Sequence, residues 1–395
     1  MTKPSKKPFA PPRPRIALPT FLQHFEQTRE QIVSRIRRMV EIESPSDSKA
    51  AVDRLGEMLA SDFEKLGGRP RFHRQSHAGN HLQVEFAGRD RRPPVLLLGH
   101  FDTVWSLGTL ASMPCRVGQG RLWGPGTLDM KSGIALMMAT LGAWYELDGR
   151  LPRPVTVLLN TDEEVGSETS RALIERVAKK CAATLVLEPA QGAAGAVKTA
   201  RKGVGGYELK VTGRAAHAGV DFEKGRSAVL ELARQIIRVA GFSGARPGLT
   251  VNVGVIRGGT RTNVIAAEAR AEIDVRIARL RDAAFLDGKM QSLRAIGEQC
   301  TVEVTGELNR PPMERSRKVV QLFNLARALA REVDWELQEA ATGGGSDGNF
   351  TAALGVPTLD GLGGVGEGAH ATNESVVIAE LPRRAALLAA MIGAV

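Results

Sequence analysis

Residues 94–104 read PVLLLGHFDTV, an almost continuous apolar run that becomes polar at its end. A strand that is apolar on both faces is typical of the centre of a parallel sheet with helices on either side. Two further runs have the same form, VTVLLN at 155–160 and ATLVLEP at 183–189. Helical spacing between these runs, as in residues 132–147, therefore predicts an α/β domain with a mainly parallel sheet.

The pattern changes near residue 200. Residues 249–278 read as strands joined by glycine-rich turns, helical stretches fall at 224–240 and 281–297, and 300–308 is another strand. The order strand-helix-strand-strand-helix-strand predicts an α+β sandwich inserted into the α/β domain. The predicted organisation is a disordered basic tail at 1–20, a catalytic α/β domain at 21–198 and 308–395, and the inserted domain at 199–307.

The composition excludes several classes of protein. The 395 residues are 43% hydrophobic, but no apolar run is long enough to span a bilayer. Three cysteines without a C-x-x-C spacing argue against a disulfide framework, and the first 20 residues lack the apolar core of a secretory signal. We therefore expect a cytoplasmic protein without a membrane partner. The net charge is +10, but without a basic helix or zinc-finger spacing we expect acidic small molecules rather than nucleic acid as ligands.

Polar side chains recur near the ends of the apolar strands and before a helix. They are His100, Asp102, Asp129, Glu163, Glu164 and Glu188. Because ligands bind at the carboxyl ends of the strands in open α/β sheets, we expect these side chains to converge. Taken singly, each also fits an ordinary role as a turn residue, a helix cap or a structural histidine. Together, so many carboxylates need cations beside them, and imidazole and carboxylate ligands suit zinc.

Six motifs cover these positions and continue along the chain. They are HFD (100–102), GPGTLDMKSG (124–133), NTDEEVGS (160–167), LVLEP (185–189), GRAAHAG (213–219) and GEGAH (366–370). This set resembles the signature of the di-zinc aminoacylase/carboxypeptidase family, which includes succinyl-diaminopimelate desuccinylase and peptidase T. Within the family the chain is most similar to glutamate carboxypeptidase, because TGGGSD (342–347), Arg310-Pro311 and GLGGVGEGAH (361–370) match in order. The resemblance covers residues 21–395.

The resemblance implies a site for two divalent metal ions per chain. Zinc is the expected metal, and cobalt and manganese are alternatives. Asp129 would bridge the two ions. His100 and Glu188 would complete the ligands of one ion, and Glu164 and His370 those of the other. These assignments come from the family's motifs and not from spacing alone.

The resemblance also implies how the reaction would proceed. Asp102 would orient the imidazole of His100. Glu163 would be the general base that takes a proton from a metal-bridging water and later delivers it to the leaving amine. The peptide bond between Asp129 and Met130 would be cis.

The inserted domain would be a dimerisation or lid domain that contributes to the site. His217 would reach across the interface of a homodimer and stabilise the oxyanion formed in the partner subunit. The residues implied in substrate binding are Asn263, Arg276, Arg310 and Gly345. Arginine suits a substrate carboxylate because its guanidinium group binds a carboxylate through two parallel hydrogen bonds. For Arg276 the alternative is a simple pairing with Asp274.

These residues predict a zinc-dependent hydrolase of amide or peptide bonds that releases a C-terminal amino acid, with glutamate as the first candidate. The substrate would be an N-acyl amino acid or a small peptide with a free carboxylate. The main alternative is an N-acyl-amino-acid deacylase or desuccinylase of the same family.

Three hypotheses from other functional classes explain fewer of these residues than the di-zinc hydrolase hypothesis does. Residues 344–348 satisfy the G-x-S-x-G pattern, and Asp360 and His370 follow in the order of an α/β-hydrolase triad. Residues 361–366 match a dinucleotide fingerprint but no helical pattern follows directly. A non-catalytic binding protein is the third alternative, and the presence of Glu163 beside the ligand set argues against it. Inhibition by a chelator, but not by a serine-directed phosphonate, separates a metal enzyme from a serine hydrolase.

Overall fold

The computed structural model describes residues 15–297 and 299–395. The α-helices are α1 (Leu18–Gln27), α2 (Arg29–Val40), α3 (Lys49–Lys65), α4 (Ser132–Asp148), α5 (Arg171–Ala178), α6 (Ala228–Ala240), α7 (Ala283–Gln291), α8 (Arg317–Ala330), α9 (Gly348–Ala353) and α10 (Leu381–Ala394). The strands are β1 (Arg69–His73), β2 (His81–Phe86), β3 (Val95–His100), β4 (Arg116–Gly118), β5 (Arg121–Trp123), β6 (Val155–Asn160), β7 (Ala183–Val186), β8 (Val197–Arg201), β9 (Gly203–Thr212), β10 (Thr250–Gly258), β11 (Glu268–Ile277), β12 (Thr301–Arg310), β13 (Glu339–Thr342), β14 (Thr358–Leu359), β15 (Gly366–Glu367) and β16 (Ser375–Val377).

The prediction of a disordered tail at residues 1–20 is too long at its C-terminal end. Residues 1–14 lie outside the described part of the chain. Helix α1 begins at Leu18 because Leu18 and Phe21 are both buried in the core. Burial of these two side chains stabilises the first turn of the helix.

The described residues form two compact units. The first contains the residues up to Thr199 together with 315–341 and 350–395, and the second contains 200–314 and 342–349. The first unit is an α/β structure, and the second is an α+β structure inserted into it. The predicted fold class is confirmed.

The units differ from the predicted domains on the C-terminal side of the insertion. The prediction assigned residues 308–314 and 342–349 to the catalytic domain, but both segments belong to the second unit. Strand β12 continues to Arg310 within the second unit's sheet. The Asn349 side chain donates hydrogen bonds to two backbone carbonyls of the second unit, which attaches the 342–349 segment to it.

The first unit is built on a six-stranded sheet in the order β1-β2-β6-β3-β7-β14. Strands β6, β3, β7 and β14 run parallel, and β2 and β1 extend the sheet as antiparallel neighbours. Strand β3 is central because the chain places β6 on one side of it and β7 on the other. A reversal of strand order of this kind opens a crevice at the carboxyl ends of the strands.

The central strand β3 buries apolar side chains on both faces. Val95 and Leu97 belong to the large core that contains α4 and α10, whereas Leu96 and Leu98 pack with the residues of α5. Strands of this kind have apolar residues at consecutive positions instead of alternating ones. The two-sided core is therefore the physical reason for the apolar run at residues 94–104.

The second unit is a four-stranded antiparallel sheet in the order β10-β11-β9-β12, packed against α6 and α7. Its element order, β9-α6-β10-β11-α7-β12, is the one that the sequence predicts. In β9 the buried residues Tyr207, Leu209 and Val211 alternate with half-buried or exposed ones. Period-2 alternation of this kind is typical of a sheet that packs its core on one face.

No α-helix in the described part of the chain is long and apolar enough to cross a membrane. The helices α3 and α4, with 17 residues each, are among the longest. Separately, Cys115, Cys181 and Cys300 are free cysteines, which agrees with the expected lack of a disulfide framework.

Candidate metal centre

The strand ends of the first unit bring the predicted polar residues to one edge of the sheet. His100 ends β3 and lies opposite Asn160, the last residue of the parallel neighbour β6. Glu163 and Glu164 follow β6 in one turn of 3-10 helix, and Glu188 follows β7 after a single intervening residue. The parallel register therefore places side chains from three strand ends side by side.

His100, Asp129 and Glu188 form one half of the cluster. Nε2 of the buried His100 lies 3.2 Å from Oδ1 of Asp129 and 3.5 Å from Oε1 of Glu188. Asp129 reaches this position from the distorted helical turn Thr127–Lys131. The peptide bond between Asp129 and Met130 is cis, as the family resemblance implies.

His370 and Glu164 form the other half. Nε2 of His370 lies 3.1 Å from Oε2 of Glu164 and 3.5 Å from Oδ2 of Asp129. Asp129 therefore directs one carboxylate oxygen toward each imidazole. The side chain of His370 is 52% exposed whereas that of His100 is 1% exposed, so the cluster opens to solvent on the His370 side.

Asp102 connects His100 to the two glutamates. Nδ1 of His100 lies 3.1 Å from the Asp102 carbonyl oxygen and 3.4 Å from its carboxylate. The buried carboxylate also accepts hydrogen bonds from the Ser46 hydroxyl at 2.7 Å and from the backbone N–H of Glu164 at 3.2 Å and Glu163 at 3.4 Å. Asp102 thus orients the imidazole and also fixes the turn that carries both glutamates.

Asp162 has a different role from the glutamates that follow it. Its buried carboxylate accepts hydrogen bonds from the backbone N–H of Thr169 and Ser170 and from the Thr169 hydroxyl. Burial alone would raise the pKa of Asp162. Hydrogen bonds from Ser170 and Thr169 outweigh this effect and hold the pKa below its usual value. Asp162 therefore stabilises the turn before α5, and its carboxylate is not directed at the metal cluster.

The histidines and the carboxylates of the cluster shift one another's pKa values. Burial opposes protonation of His100, but neighbouring carboxylates, Asp102 first among them, raise its pKa well above its usual value. Hydrogen bonds to Asp129 and Glu164 raise the pKa of His370 to about 10. Despite burial, the two imidazoles hold the pKa of Asp129 below its usual range, whereas burial raises the pKa of Glu164.

The donor atoms fit a site for divalent cations. Ligand atoms of His100, Asp129 and Glu164 all lie within 4.8 Å of one another. The same is true of His100, Glu163 and Glu188. Among the described residues, Oε1 of Glu164 is buried and has no hydrogen-bond donor. A buried carboxylate oxygen needs a donor or a cation, and imidazole with carboxylate is a zinc-type donor set.

Comparison with known proteins identifies the family. Residues 96–394 match the profile of a family described as Peptidase family M20/M25/M40. Carboxypeptidase G2 of Pseudomonas sp. (strain RS-16) is 30% identical over 370 residues, which cover 91% of this chain and 88% of that protein. This chain belongs to the M20/M25/M40 peptidase family. The resemblance drawn from the sequence motifs is confirmed, and the chain is a hydrolase of the metallopeptidase type.

Solved structures share the fold of this M20 family chain. Aminopeptidase PepT from Bacillus cereus has a TM-score of 0.78 at 23% identity and covers 92% of this chain and 98% of its own. The YXEP protein of Bacillus subtilis, described as a dinuclear metal binding peptidase from the M20 family, has a TM-score of 0.68 at 15% identity. It covers 93% of this chain and 98% of its own. At these identities the likeness establishes the fold.

The second unit of the M20 family chain carries His217 and Asn263 on adjoining loops. The N–H of Ala218 donates a hydrogen bond of 2.9 Å to the Asn263 carbonyl. Nδ1 of the exposed His217 accepts a hydrogen bond of 3.1 Å from the Gly219 N–H. In the neutral ring the proton then resides on Nε2. His217 therefore offers an N–H donor, as an oxyanion-stabilising residue must.

Arg276 and Arg310 share a face of the second unit's sheet. Both lie opposite Val204 of β9, one on β11 and the other on β12. Side chains of directly opposite residues point to the same face. Arg276 donates two hydrogen bonds of 2.8 Å to Asp274, the pairing that the alternative interpretation predicts, and Arg310 donates one of 3.2 Å to Asp347. The guanidinium of Arg276 has five N–H donors, and its pairing with Asp274 engages two of them.

The TGGGSD loop packs against Arg310 within the second unit. A Cβ at Gly345 would lie 2.9 Å from Cγ2 of Val204 and 3.1 Å from Cδ of Arg310, so a larger residue would disturb this packing. The buried Ser346 hydroxyl, the nucleophile of the serine-hydrolase alternative, accepts a hydrogen bond from the Gly348 N–H. The Nε2 atom of His370 lies against carboxylates of the metal cluster. The serine-hydrolase alternative therefore finds no support.

Glu374 is a site residue that sequence reasoning missed. Strand β16 begins directly after it and pairs with β5, which places Glu374 beside the turn that presents Asp129. Its buried carboxylate accepts hydrogen bonds from the N–H groups of Gly126 and Leu128 at 2.9 Å, Asp129 at 3.0 Å and the Trp105 indole at 2.8 Å. Three of these donors are backbone N–H groups, so the Glu374 carboxylate fixes the backbone of Asp129 and of the residues that precede it. The only sequence signal was an acidic residue directly before a short apolar strand.

Replacing Glu374 with glutamine is expected to lower stability by about 1–3 kcal/mol, because an amide NH2 would face N–H donors that a carboxylate accepts. We expect weaker metal retention as well, because the turn of Asp129 loses its support. Denaturant unfolding and metal analysis measure the two effects. Glu367→Gln is the matched control, since its side chain is 56% exposed and lies outside the turn. Equal stability of the two variants would contradict the role of Glu374.

Proposed function

We propose that this protein is a zinc-dependent hydrolase of amide or peptide bonds that releases a C-terminal amino acid, with glutamate as the first candidate. The observation that carries the proposal is the placement of Asp129 between two imidazoles, each paired with a further glutamate. Similarity to a carboxypeptidase over 91% of the chain supports the reaction class. N-acyl amino acids and small peptides with a free carboxylate are the proposed substrates.

The geometry supports two sets of metal ligands that share Asp129. His100 with Glu188 would hold one ion, and His370 with Glu164 would hold the other. Bound there, two divalent ions would polarise a scissile carbonyl and lower the pKa of a water molecule. Zinc suits a mixed imidazole and carboxylate set best, and cobalt and manganese accept the same donors.

Glu163 is proposed as the general base. Its carboxylate belongs to the cluster through its proximity to His100 and Glu188, and its N–H is directed to the Asp102 carboxylate. Glu163 precedes the ligand Glu164 in the same turn, so its position is fixed by the contact that also fixes the ligand. A carboxylate held there can take a proton from the attacking water and donate it to the leaving amine.

The second unit is proposed to recognise the substrate carboxylate. Arg276 and Arg310 lie on one sheet face, about two strand spacings or 10 Å apart in backbone position. Guanidinium groups suit a carboxylate, and Asn263 and Gly345 would add an amide and a backbone N–H. Because of these four donors, we propose a substrate whose carboxylate lies next to the scissile bond.

A hydrolysis screen tests the proposal and separates it from the deacylase and desuccinylase alternatives. N-acyl glutamates, other N-acyl amino acids, N-succinyl diamines and dipeptides are supplied to one enzyme preparation whose metal content is measured. Release of a C-terminal amino acid, fastest for glutamate, is expected. Cleavage restricted to acyl groups on diamines would establish the desuccinylase alternative. Two bound metals without cleavage of any amide would overturn the proposal.

A second copy of the chain is the proposed partner of the second unit. Helix α6 exposes Val229, Leu230 and Ile237 by 44%, 55% and 76%, and Ile256 of the edge strand β10 is 59% exposed. Exposed apolar side chains beside an unpaired strand edge mark an interaction surface. Symmetric docking of two copies would bury both features at once. In such a homodimer His217 would stabilise the oxyanion in the partner subunit.

Replacing Ile237 with glutamate is expected to convert a homodimer into monomers, because a charge would be buried in the proposed interface. Sedimentation velocity measures the change. If His217 acts in the partner subunit, turnover should also fall by about 10²–10³-fold with the loss of one oxyanion donor. Leu280→Glu is the matched control, because Leu280 is 49% exposed and lies in the 3-10 turn before α7 rather than on α6 or β10. A monomeric unmodified protein would contradict the proposed assembly.

A further inference from the structure

A basic cavity on the first unit has no part in the proposed reaction. It has a volume of about 510 Å³ and lies between the edge strand β1 and the helix α5. No aspartate or glutamate is among the described residues that line it. Its polar lining consists of Arg71, His73, Arg74, Gln75, Thr169 and Arg176.

The three arginines of this cavity are exposed and, within the described part of the chain, are not paired with carboxylates. Among the described residues, Arg71, Arg74 and Arg176 form no ion pair with a carboxylate. Arg69, two residues earlier on β1 and outside the cavity, does pair with Glu85 at 3.6 Å. The guanidinium groups of Arg71, Arg74 and Arg176 therefore keep N–H donors available to a ligand in the cavity.

The charges of the cavity act on its own histidine. Burial lowers the pKa of His73, and the positive charges of Arg71 and Arg176 lower it further, while a hydrogen bond to Gln83 opposes both. Both guanidinium groups are therefore close enough to affect the imidazole. Like charges close together repel one another, and an anion bound between them would reduce that repulsion.

The wall formed by Thr169 is rigid. Its backbone N–H and hydroxyl both donate to the Asp162 carboxylate at 2.7 Å, and Nε2 of His81 lies 3.0 Å from the hydroxyl. A wall fixed by a buried carboxylate and a strand of the sheet gives the cavity a defined shape. A defined concave shape with several convergent donors is the usual form of a small-ligand site.

We propose that this cavity binds a small phosphate-bearing molecule. Phosphate is favoured because guanidinium groups bind it through paired hydrogen bonds, and three arginines with a glutamine amide provide many donors and no competing carboxylate. The dimensions of the cavity suit a small molecule rather than a nucleic-acid strand.

Calorimetric titration of the metal-loaded protein with inorganic phosphate tests the site. We expect one saturable site, and we expect Arg71→Gln combined with Arg176→Gln to weaken binding by about tenfold or more. Arg69→Gln is the matched control on the same strand and should bind as the unmodified protein does. The Glu164→Ala variant, which is expected to lose one of the two ions, should bind phosphate as tightly as the unmodified protein, whereas phosphate bound between two metal ions would bind this variant more weakly.

Several results would overturn the proposal. These are no saturable phosphate binding, equal weakening by Arg69→Gln, or loss of binding in Glu164→Ala alone. Succinate is the carboxylate probe, and tighter binding of succinate than of phosphate would overturn the assignment to phosphate. A single-stranded oligonucleotide that binds where inorganic phosphate does not would also overturn it.

Discussion

Replacing Glu163 with glutamine is expected to lower turnover by about 10²–10⁴-fold while both metal ions remain bound. An amide cannot take a proton from the attacking water, but it has nearly the same shape as the carboxylate. The turn itself should be preserved, because Asp102 holds the backbone N–H groups of Glu163 and Glu164. Steady-state kinetics and metal analysis on the same preparation give both readouts.

The control for this substitution lies in the same loop. Glu168 is exposed, so Glu168→Gln changes the charge nearby without touching the cluster and should leave turnover unchanged. Normal turnover in Glu163→Gln would refute the assignment of the base. Loss of metal together with turnover would instead make Glu163 a ligand.

Replacing Glu164 with alanine is expected to reduce the bound metal from about two equivalents per chain to about one. Oε2 of Glu164 lies 3.1 Å from Nε2 of His370, and its Oε1 is buried with no donor among the described residues, so this carboxylate is placed to bind a cation. Turnover should fall by at least about 100-fold, because outer-shell changes alone cost about 10–100-fold in metal affinity or activity.

The two neighbouring glutamates serve as controls for each other. Glu163→Gln should keep both ions, whereas Glu164→Ala should keep one, although the side chains leave the same turn. Metal analysis after dialysis, together with titration of added zinc, measures the difference. An unchanged stoichiometry in Glu164→Ala would be incompatible with its role as a ligand.

Local patterns were sufficient to predict the architecture. Apolar runs predict the buried parallel strands because a strand such as β3 contacts a hydrophobic core on each face. Period-2 alternation predicts β9 because its sheet contacts a hydrophobic core on one face only. The prediction failed at the unit boundaries. Residues 342–349 join the second unit through hydrogen bonds of Asn349 to backbone far away in sequence, and no local period records such a contact.

The sequence also predicted part of the candidate metal centre. Parallel strands end at one edge, so residues after β3, β6 and β7 must lie near one another once the sheet is recognised. Asp129 and His370 follow no strand of that sheet. Asp129 was indicated by its place before a helix, whereas only the family resemblance indicated His370. The pairing of Arg276 with Asp274 was foreseen as an alternative, but the side chain contacts were needed to observe it.

The sequence by itself determined the fold class, the inserted unit and the residue types that converge on the metal centre, because strand periodicity and strand-end position are local properties of the chain. Only the tertiary structure decided how those residues are held. The Glu374 carboxylate and the Leu128 N–H are 246 positions apart and meet because β16 pairs with β5. Asp102 contacts the imidazole of His100 through its carbonyl oxygen, and its carboxylate accepts hydrogen bonds from the backbone N–H groups of Glu163 and Glu164. Hydrogen bonds between distant segments depend on the packed backbone, so they leave no periodic signal in the sequence.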